Sequence, residues 1–237
     1  MIPKTLIYCN FGHFRYRDEI EVPCMKSWEK YFPKSEWTWI ELNEETFDVN
    51  AYPYTKLAYE KKMFAFVSDF ARVWYLANFG GVYVDTDFMM IRPFDENLLK
   101  HECFFGSCIN EEIKDEEMIS WGIFGTNPGA RLICDISQEF YKMEKPCKFM
   151  MYETARQLAK RGFTVELLSN HRTSAVTRDG VTIYPFEKMT GCFWTNDKIR
   201  INDTTMGVHL FAGSWTDKAN KIRSLKRIEG FGLEKYL

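Results

Sequence analysis

The 237-residue chain lacks most of the features that assign a class at a glance. It has no charge excess of note: 31 Lys and Arg face 33 Asp and Glu, for a formal net charge of -2, so no basic field points to nucleic acid. Its seven cysteines, at 9, 24, 103, 108, 134, 147 and 192, form no C-x-x-C pair and no zinc-ligand spacing. Reduced thiols in a cytosolic protein are the expectation. No apolar run approaches the roughly 20 residues of a membrane span. The longest, Met63 to Phe79, is interrupted by Asp69 and Arg72. Met1-Ile2-Pro3-Lys4 enters a strand pattern at once, so no signal peptide is expected. There are no repeats, low-complexity tracts or linkers, so residues 1–237 are expected to form one domain.

What the chain has in quantity is aromatic side chains, 16% of the total with 20 Phe, 12 Tyr and 7 Trp. Most are expected in the core; aromatic rings also form platforms for flat or sugar ligands. Strand and helix patterns alternate along the chain. Strands are expected at Thr5–Tyr8, Trp37–Leu42, Val82–Thr86, Cys103–Ser107, Ile119–Thr126, Phe163–Leu168, Val181–Tyr184 and Val208–Phe211. Helices are expected from Pro23 to Pro33, from Thr55 to Asn78 with Gly80-Gly81 as its stop, and from Pro128 to Met143. Two more are expected at Thr154–Arg161 and Lys218–Arg227. This alternation predicts an α/β fold in three layers with a mostly parallel central sheet. Ligands of such sheets bind beyond the carboxyl ends of the strands.

At one such end the apolar run Val82-Tyr83-Val84 meets Asp85 and Asp87. Two acids at i and i+2 of an extended chain point the same way and can hold a hard divalent cation through oxygen. A buried pair with no cation would repel. Asp69 and Arg72, three apart on the preceding helix, share a face inside an apolar stretch, where a charged pair needs a reason.

The stretch "AFVSDFARVWYLANFGGVYVDTDF", Ala65 to Phe88, resembles the DXD-containing sugar-transferase region of glycosyltransferase family 32. That family includes bacterial capsule and polysaccharide glycosyltransferases and fungal mannosyltransferases; clostridial glucosylating toxins are more distant relatives. "IPKTLIYCNFG", Ile2 to Gly12, looks like the family's opening strand, and "HLFAGSW", His209 to Trp215, like its closing element. The resemblance is loose from about 111 to 207. It implies a GT-A fold, a Rossmann-like nucleotide-binding half merged with an acceptor-binding half. It also implies metal-dependent transfer from a nucleotide sugar, a UDP-hexose being the expectation, to a glycan, polysaccharide or lipid-linked acceptor, usually with retention of configuration.

By the same resemblance, Asp85 and Asp87 serve the metal, Mn²⁺ or Mg²⁺, with Asp85 also reaching the ribose. Asp69 and Arg72 hold donor-sugar hydroxyls. His209 meets the metal or diphosphate, its imidazole suiting Mn²⁺ better than Mg²⁺; whether His209 or Ser214 is the ligand stays open. Ser214 and the Trp215 indole can donate to phosphate. Tyr8, Asn10 and Phe11 lie where the base binds, core packing being the equal alternative for Tyr8 and Phe11. The chain departs from relatives at Asn10, often Trp, and at Trp121, commonly Asn, so Trp121 is expected to stack on the donor sugar or close its pocket.

No residue stands out as a general base. A same-face retaining transfer needs none, because the leaving diphosphate can take the acceptor's proton. Two rival readings compete with this one. A phosphatase of the haloacid dehalogenase type also places D-x-D after a buried strand, but wants Thr or Val where Met89 stands and carries its acids on the opening strand. A non-catalytic nucleotide-sugar-binding protein has no use for an intact acid pair. The basic C-terminal stretch is read as a solvated surface helix, with a peripheral contact to the inner face of an anionic membrane as the alternative.

Overall fold

The computed structural model describes residues 1–13, 15–16, 19–108, 119–147, 149–191 and 199–213, and residues 224, 226, 228, 230, 232 and 233 beyond them. The chain begins with β1 (Thr5–Cys9), α1 (Glu21–Tyr31), β2 (Thr38–Leu42), α2 (Pro53–Glu60) and α3 (Phe64–Phe79). Then come β3 (Gly81–Val84), β4 (Phe88–Met90), a 3₁₀ turn (Glu96–Lys100), β5 (Cys103–Ser107), β6 (Ile119–Thr126), α4 (Arg131–Phe140) and α5 (Phe149–Lys160). It continues with α6 (Val165–Asn170), β7 (Val176–Arg178), β8 (Val181–Tyr184), α7 (Phe186–Met189) and β9 (Gly207–His209).

Seven strands form one sheet in the order β2-β1-β3-β6-β5-β8-β7, and β4 pairs with β9 in a second, small one. The pairings put β2, β1, β3, β5 and β8 in one direction and reverse β6 and β7. The mostly parallel sheet is therefore observed, with one reversed strand inside it. Alternation along the strands builds two cores. On one face a cross-strand ladder runs from Ile7 through Tyr83, Phe124 and Phe105 to Ile183, under Val67, Phe70 and Val73 of α3 and Ile133 and Ile136 of α4. On the other, Leu6, Val82, Val84, Ile123 and Phe104 meet Trp28 of α1 and Phe32 just past its end. Helix α1 also fixes β4: the Trp28 indole donates to the Phe88 carbonyl at 2.7 Å, and Ser27 Oγ accepts the Met90 amide at 2.9 Å.

Three expected elements differ from the structure. The helix expected over Thr55–Asn78 is two helices. Lys62 has φ 58°, its amide bonds the Tyr59 carbonyl and the Met63 amide bonds the Ala58 carbonyl, a Schellman ending with Lys where Gly is usual. The strand expected at Phe163–Leu168 is the start of α6. Thr164 is its N-cap, accepting the Leu167 amide at 3.0 Å, and only Phe163 and Leu168 in that stretch are buried apolar residues. Strand β3 stops at Val84, two residues early, which matters for the site below. Among the described residues Cys9, Cys103, Cys134 and Cys147 are thiols outside any disulfide.

The helical reading of 163–170 is testable through its cap. Thr164→Ala should lower unfolding free energy by about 1 kcal/mol and Thr164→Asp should retain it, measured by urea denaturation. Equal stability of both variants would remove the cap.

Candidate active site

The two acids are brought together by a turn. After Val84 the chain leaves the sheet, and the Phe88 amide bonds the Asp85 carbonyl at 2.9 Å, closing a four-residue turn across Asp85–Phe88. This corrects the expectation of an extended i, i+2 pair. The turn also starts β4, whose pairing sets His209 opposite Phe88 and so beside Asp87. The segment after β9 continues around the second acid: the Leu210 amide bonds the Asp87 carbonyl at 3.0 Å, and the Ala212 amide bonds Asp87 Oδ2 at 2.6 Å.

Each carboxylate is anchored through one oxygen and presents the other. Asp85 Oδ1 accepts from the Tyr83 hydroxyl at 2.7 Å and from Arg72 at 3.3 Å, while its Oδ2 lies 3.5 Å from His209 Nε2. Asp87 Oδ2 is held by Ala212, while its Oδ1 lies 3.2 Å from the same imidazole nitrogen. One ligand atom from each of Asp85, Asp87 and His209 thus lies within 4.8 Å of the others. Adjacent ligands of an octahedral ion with bonds of 2.0–2.1 Å sit ~3 Å apart, so oxygens and a nitrogen at these separations fit a divalent cation after small rotations. Burial raises the Asp85 carboxyl pKa, and the pull of Arg72 and His209 does not cancel that. Burial also pushes Asp87 upward, but His209 and the Ala212 amide outweigh it and hold Asp87 below the usual range.

Gly122 makes room for the histidine. A Cβ there would stand 2.5 Å from His209 Nδ1, and the Gly122 carbonyl receives the Asp85 amide at 2.8 Å. Strand β6 therefore fixes both ends of the cluster. Next to it, buried Arg72 binds Asp69 on its own helix and Asp85 across the sheet end. Its guanidinium lies 4.9 Å from the Tyr83 ring and 5.9 Å from the Trp121 ring. Trp121 in turn packs edge-on against Phe124 at 4.9 Å and Phe105 at 5.5 Å. The structure thus gathers Asp69, Arg72, Asp85, Asp87, Trp121 and His209 at one place.

Residues of the base-binding strand are arranged differently. Tyr8 is buried against Trp28, with only its hydroxyl reaching Glu41 at 3.3 Å, and burial pushes that phenol up to about 12. Phe11 is 3% exposed and packs edge-on to Phe47. The Asn10 amide bonds the Leu42 carbonyl at 2.8 Å and its side chain faces Tyr16. The loop is pinned by Glu44, which accepts the Gly12 amide at 2.6 Å and the Tyr59 hydroxyl at 2.8 Å. Cys9, near Arg72, has its thiol pushed up to about 12 by burial. Ser214 and Trp215 lie outside the described residues. Tyr83 was missed in the sequence; the signal was its place two residues before Asp85, within reach of its carboxylate.

Residues 18–105 match the family model described as a glycosyltransferase sugar-binding region containing a DXD motif. The match includes Asp69, Arg72, Asp85 and Asp87, the four residues that the geometry groups by direct contact or by a shared imidazole. The chain carries a DXD-type glycosyltransferase region. The fold is of the GT-A type. It is similar to the crystal structure of a glycosyltransferase involved in the glycosylation of the major capsid of PBCV-1. That similarity has a TM-score of 0.53 and 9% identity over 95% of this chain and 98% of the other. Weaker likenesses are to PaToxG glycosyltransferase (TM-score 0.48, 10% identity, 71% of this chain and 73% of that one) and to galactosyltransferase LgtC in complex with donor and acceptor sugar analogs. The latter has TM-score 0.43 and 13% identity over 93% of this chain and 83% of that one. No curated protein sequence matched the chain.

The role of Gly122 in seating His209 is testable. Gly122→Ala displaces His209 and should weaken Mn²⁺ binding at least tenfold in calorimetry, with the protein still folded by circular dichroism. Unchanged Mn²⁺ affinity would separate His209 from the cation site.

Proposed function

We propose that this glycosyltransferase uses a divalent cation, Mn²⁺ or Mg²⁺, to move a hexose from a UDP-sugar to a glycan, polysaccharide or lipid-linked acceptor, with retention of configuration. The observation that carries the reading is the convergence of Asp85 Oδ2, Asp87 Oδ1 and His209 Nε2 beside the Arg72–Asp69 pair. A bound cation would supply Lewis acidity at the diphosphate leaving group.

The protein's own residues do the rest. Arg72 and Asp69 offer a fork of donors next to an acceptor, a pairing suited to sugar hydroxyls. Tyr83 and Arg72 keep Asp85 Oδ2 turned to the cluster, so no reorganisation is needed when charge develops there. Trp121, braced by Phe105 and Phe124, closes the donor side. The hydroxyl of Tyr8 and the side chain of Asn10 border the nucleotide; Ser214 and Trp215 are assigned to the diphosphate. At the site as described, Asp69 is engaged by Arg72 and both acids of the D-x-D face the cluster. That supports a same-face transfer in which the leaving diphosphate takes the acceptor proton. The proton then has a destination without a side-chain base.

The whole chain is read as one GT-A domain acting in the cytoplasm. Among the described residues no helix is long and apolar enough to cross a membrane. Most of the basic stretch 218–227 lies outside the described residues. Its Ser224 hydroxyl bonds the Leu210 carbonyl at 3.2 Å, and Ile228 is buried with Met89, Val208 and Leu210. That packing supports a helix that covers β4 and β9, and Ile228 is not part of a lipid-facing surface.

The test is donor turnover. With Mn²⁺, the purified chain should release UDP from a UDP-hexose, EDTA should abolish release, and Asp87→Ala should reduce it at least 100-fold. Release from GDP-sugars alone would keep the transferase and overturn UDP. Nucleotide binding without release from any donor would favour the non-catalytic reading.

A further inference from the structure

A second cleft lies at the opposite rim of the sheet. Asp179 and Gly180 form the turn before β8 and so sit at its amino end. Asp85 and Asp87 follow the carboxyl end of β3, which runs in the same direction as β8. Strand β8 is the third along from β3, and each of the two is 4 residues long. The two places are therefore on the order of 20 Å apart. A cleft of about 340 Å³ opens between α4, α5 and this turn; Asp135, Gln138, Glu139, Lys160, Arg161 and Asp179 are among its walls. Its volume falls in the range of small-ligand sites.

Arg161 fixes the cleft. Its side chain is only 7% exposed. Nη2 donates to Asp135 Oδ2 at 2.6 Å and Nη1 to the Gln157 carbonyl at 3.0 Å. Its Nε lies 3.4 Å from Asp179 Oδ2, is buried, and makes no hydrogen bond. Asp179 is also held by Arg131 at 2.5 Å, so α4, α5 and the turn are tied through one guanidinium. The walls still have polar atoms to offer. Asp135 gives one oxygen to Arg161 and presents Oδ1; Glu139 gives one to Lys142 at 2.6 Å and presents Oε2. Gln138 and Lys160 are exposed and make no hydrogen bond or ion pair among the described residues.

These groups match no simple ion. The carboxylate oxygens oppose an anion, and the ammonium and guanidinium oppose a cation. The three-ligand cluster found among the described residues is Asp85, Asp87 and His209, at the other rim. No lining residue is aromatic or aliphatic, so a nucleobase or a lipid chain has nothing to pack on. We propose that the cleft is a non-catalytic saccharide site, in which Asp135 and Glu139 accept from sugar hydroxyls and Lys160 and Gln138 donate to them. A hydroxyl both donates and accepts, so acceptors and donors interleaved over a fixed floor suit it. A glycan held here, on the order of 20 Å from the reacting centre, has its local concentration at that centre raised. That role rests on the transferase reading above; the binding itself does not.

The experiment uses the full chain without nucleotide or metal. Backbone amide shifts of Gln138, Lys160 and Asp179 are followed by NMR during titration with lactose, cellobiose and mannobiose, with phosphate and spermidine as comparators. At least one disaccharide should give saturable shifts at these residues and bind more tightly than either comparator. Gln138→Ala and Lys160→Met, both at exposed positions, should each weaken that binding about fivefold, the worth of one hydrogen bond. Shifts from no disaccharide, shifts confined to Gly122 and Ala212 at the donor site, tighter binding of phosphate or spermidine, or an affinity unchanged in both variants overturns the proposal. UDP release by the unsubstituted chain is measured separately. Its absence would overturn the transferase reading and the glycan-holding role with it, whereas its presence with no disaccharide binding would overturn this site alone.

Discussion

The site depends on holding two like charges close together in a half-buried place. Asp85 and Asp87 gain little from each other, and burial penalises both. The fold offsets this by spending one oxygen of each acid on a fixed partner, Tyr83 and Arg72 for Asp85 and the Ala212 amide for Asp87. The remaining oxygens then converge on one imidazole nitrogen. A cation placed there would replace repulsion by attraction without moving the anchors. The partners come from α3, from β3 and from the segment after β9, so the arrangement exists only when distant parts of the chain are already packed.

The small β4–β9 sheet is the device that closes this loop. It brings residue 209 against residue 88 across a large stretch of sequence, and its own support comes from α1 through Trp28 and Ser27. Reversed strand β6 contributes from the other side. It lays Gly122 under His209 and Trp121 near Arg72, two jobs done by neighbouring residues on opposite faces of one strand. A parallel strand at that position would need a crossover, and its carboxyl end rather than its beginning would meet the site.

Much of this could be read from residue order. Apolar runs and Gly80-Gly81 located β3, and two acids after a buried strand located the site. The alternation of elements also predicted the sheet. What failed was local geometry that side-chain pattern does not encode. The stop between α2 and α3 rests on Lys62 in a left-handed conformation, at a cost of about 1–2 kcal/mol that no composition rule anticipates. Strand β7 was not anticipated, although Asp179-Gly180, both with positive φ, is a hairpin turn of the favoured kind; its flanking residues are too polar to read as a strand. Tyr83 went unnoticed because a tyrosine in an apolar run reads as packing, and it does pack, with its hydroxyl alone doing the anchoring.

The cluster is held by more contacts than any one of its members makes. Arg72 pairs with Asp69 on its own helix and with Asp85 at the sheet end, Tyr83 shares Asp85 Oδ1, and the Ala212 amide holds Asp87. Removing one member leaves another polar group in the same half-buried place without that partner, so the effect of a substitution spreads to its neighbours. The family match, residues 18–105, ends long before His209 and Ala212 enter the chain. A local sequence pattern can therefore specify the two acids and the arginine, whereas the imidazole and the amide that turn the acids toward one point are supplied by the fold.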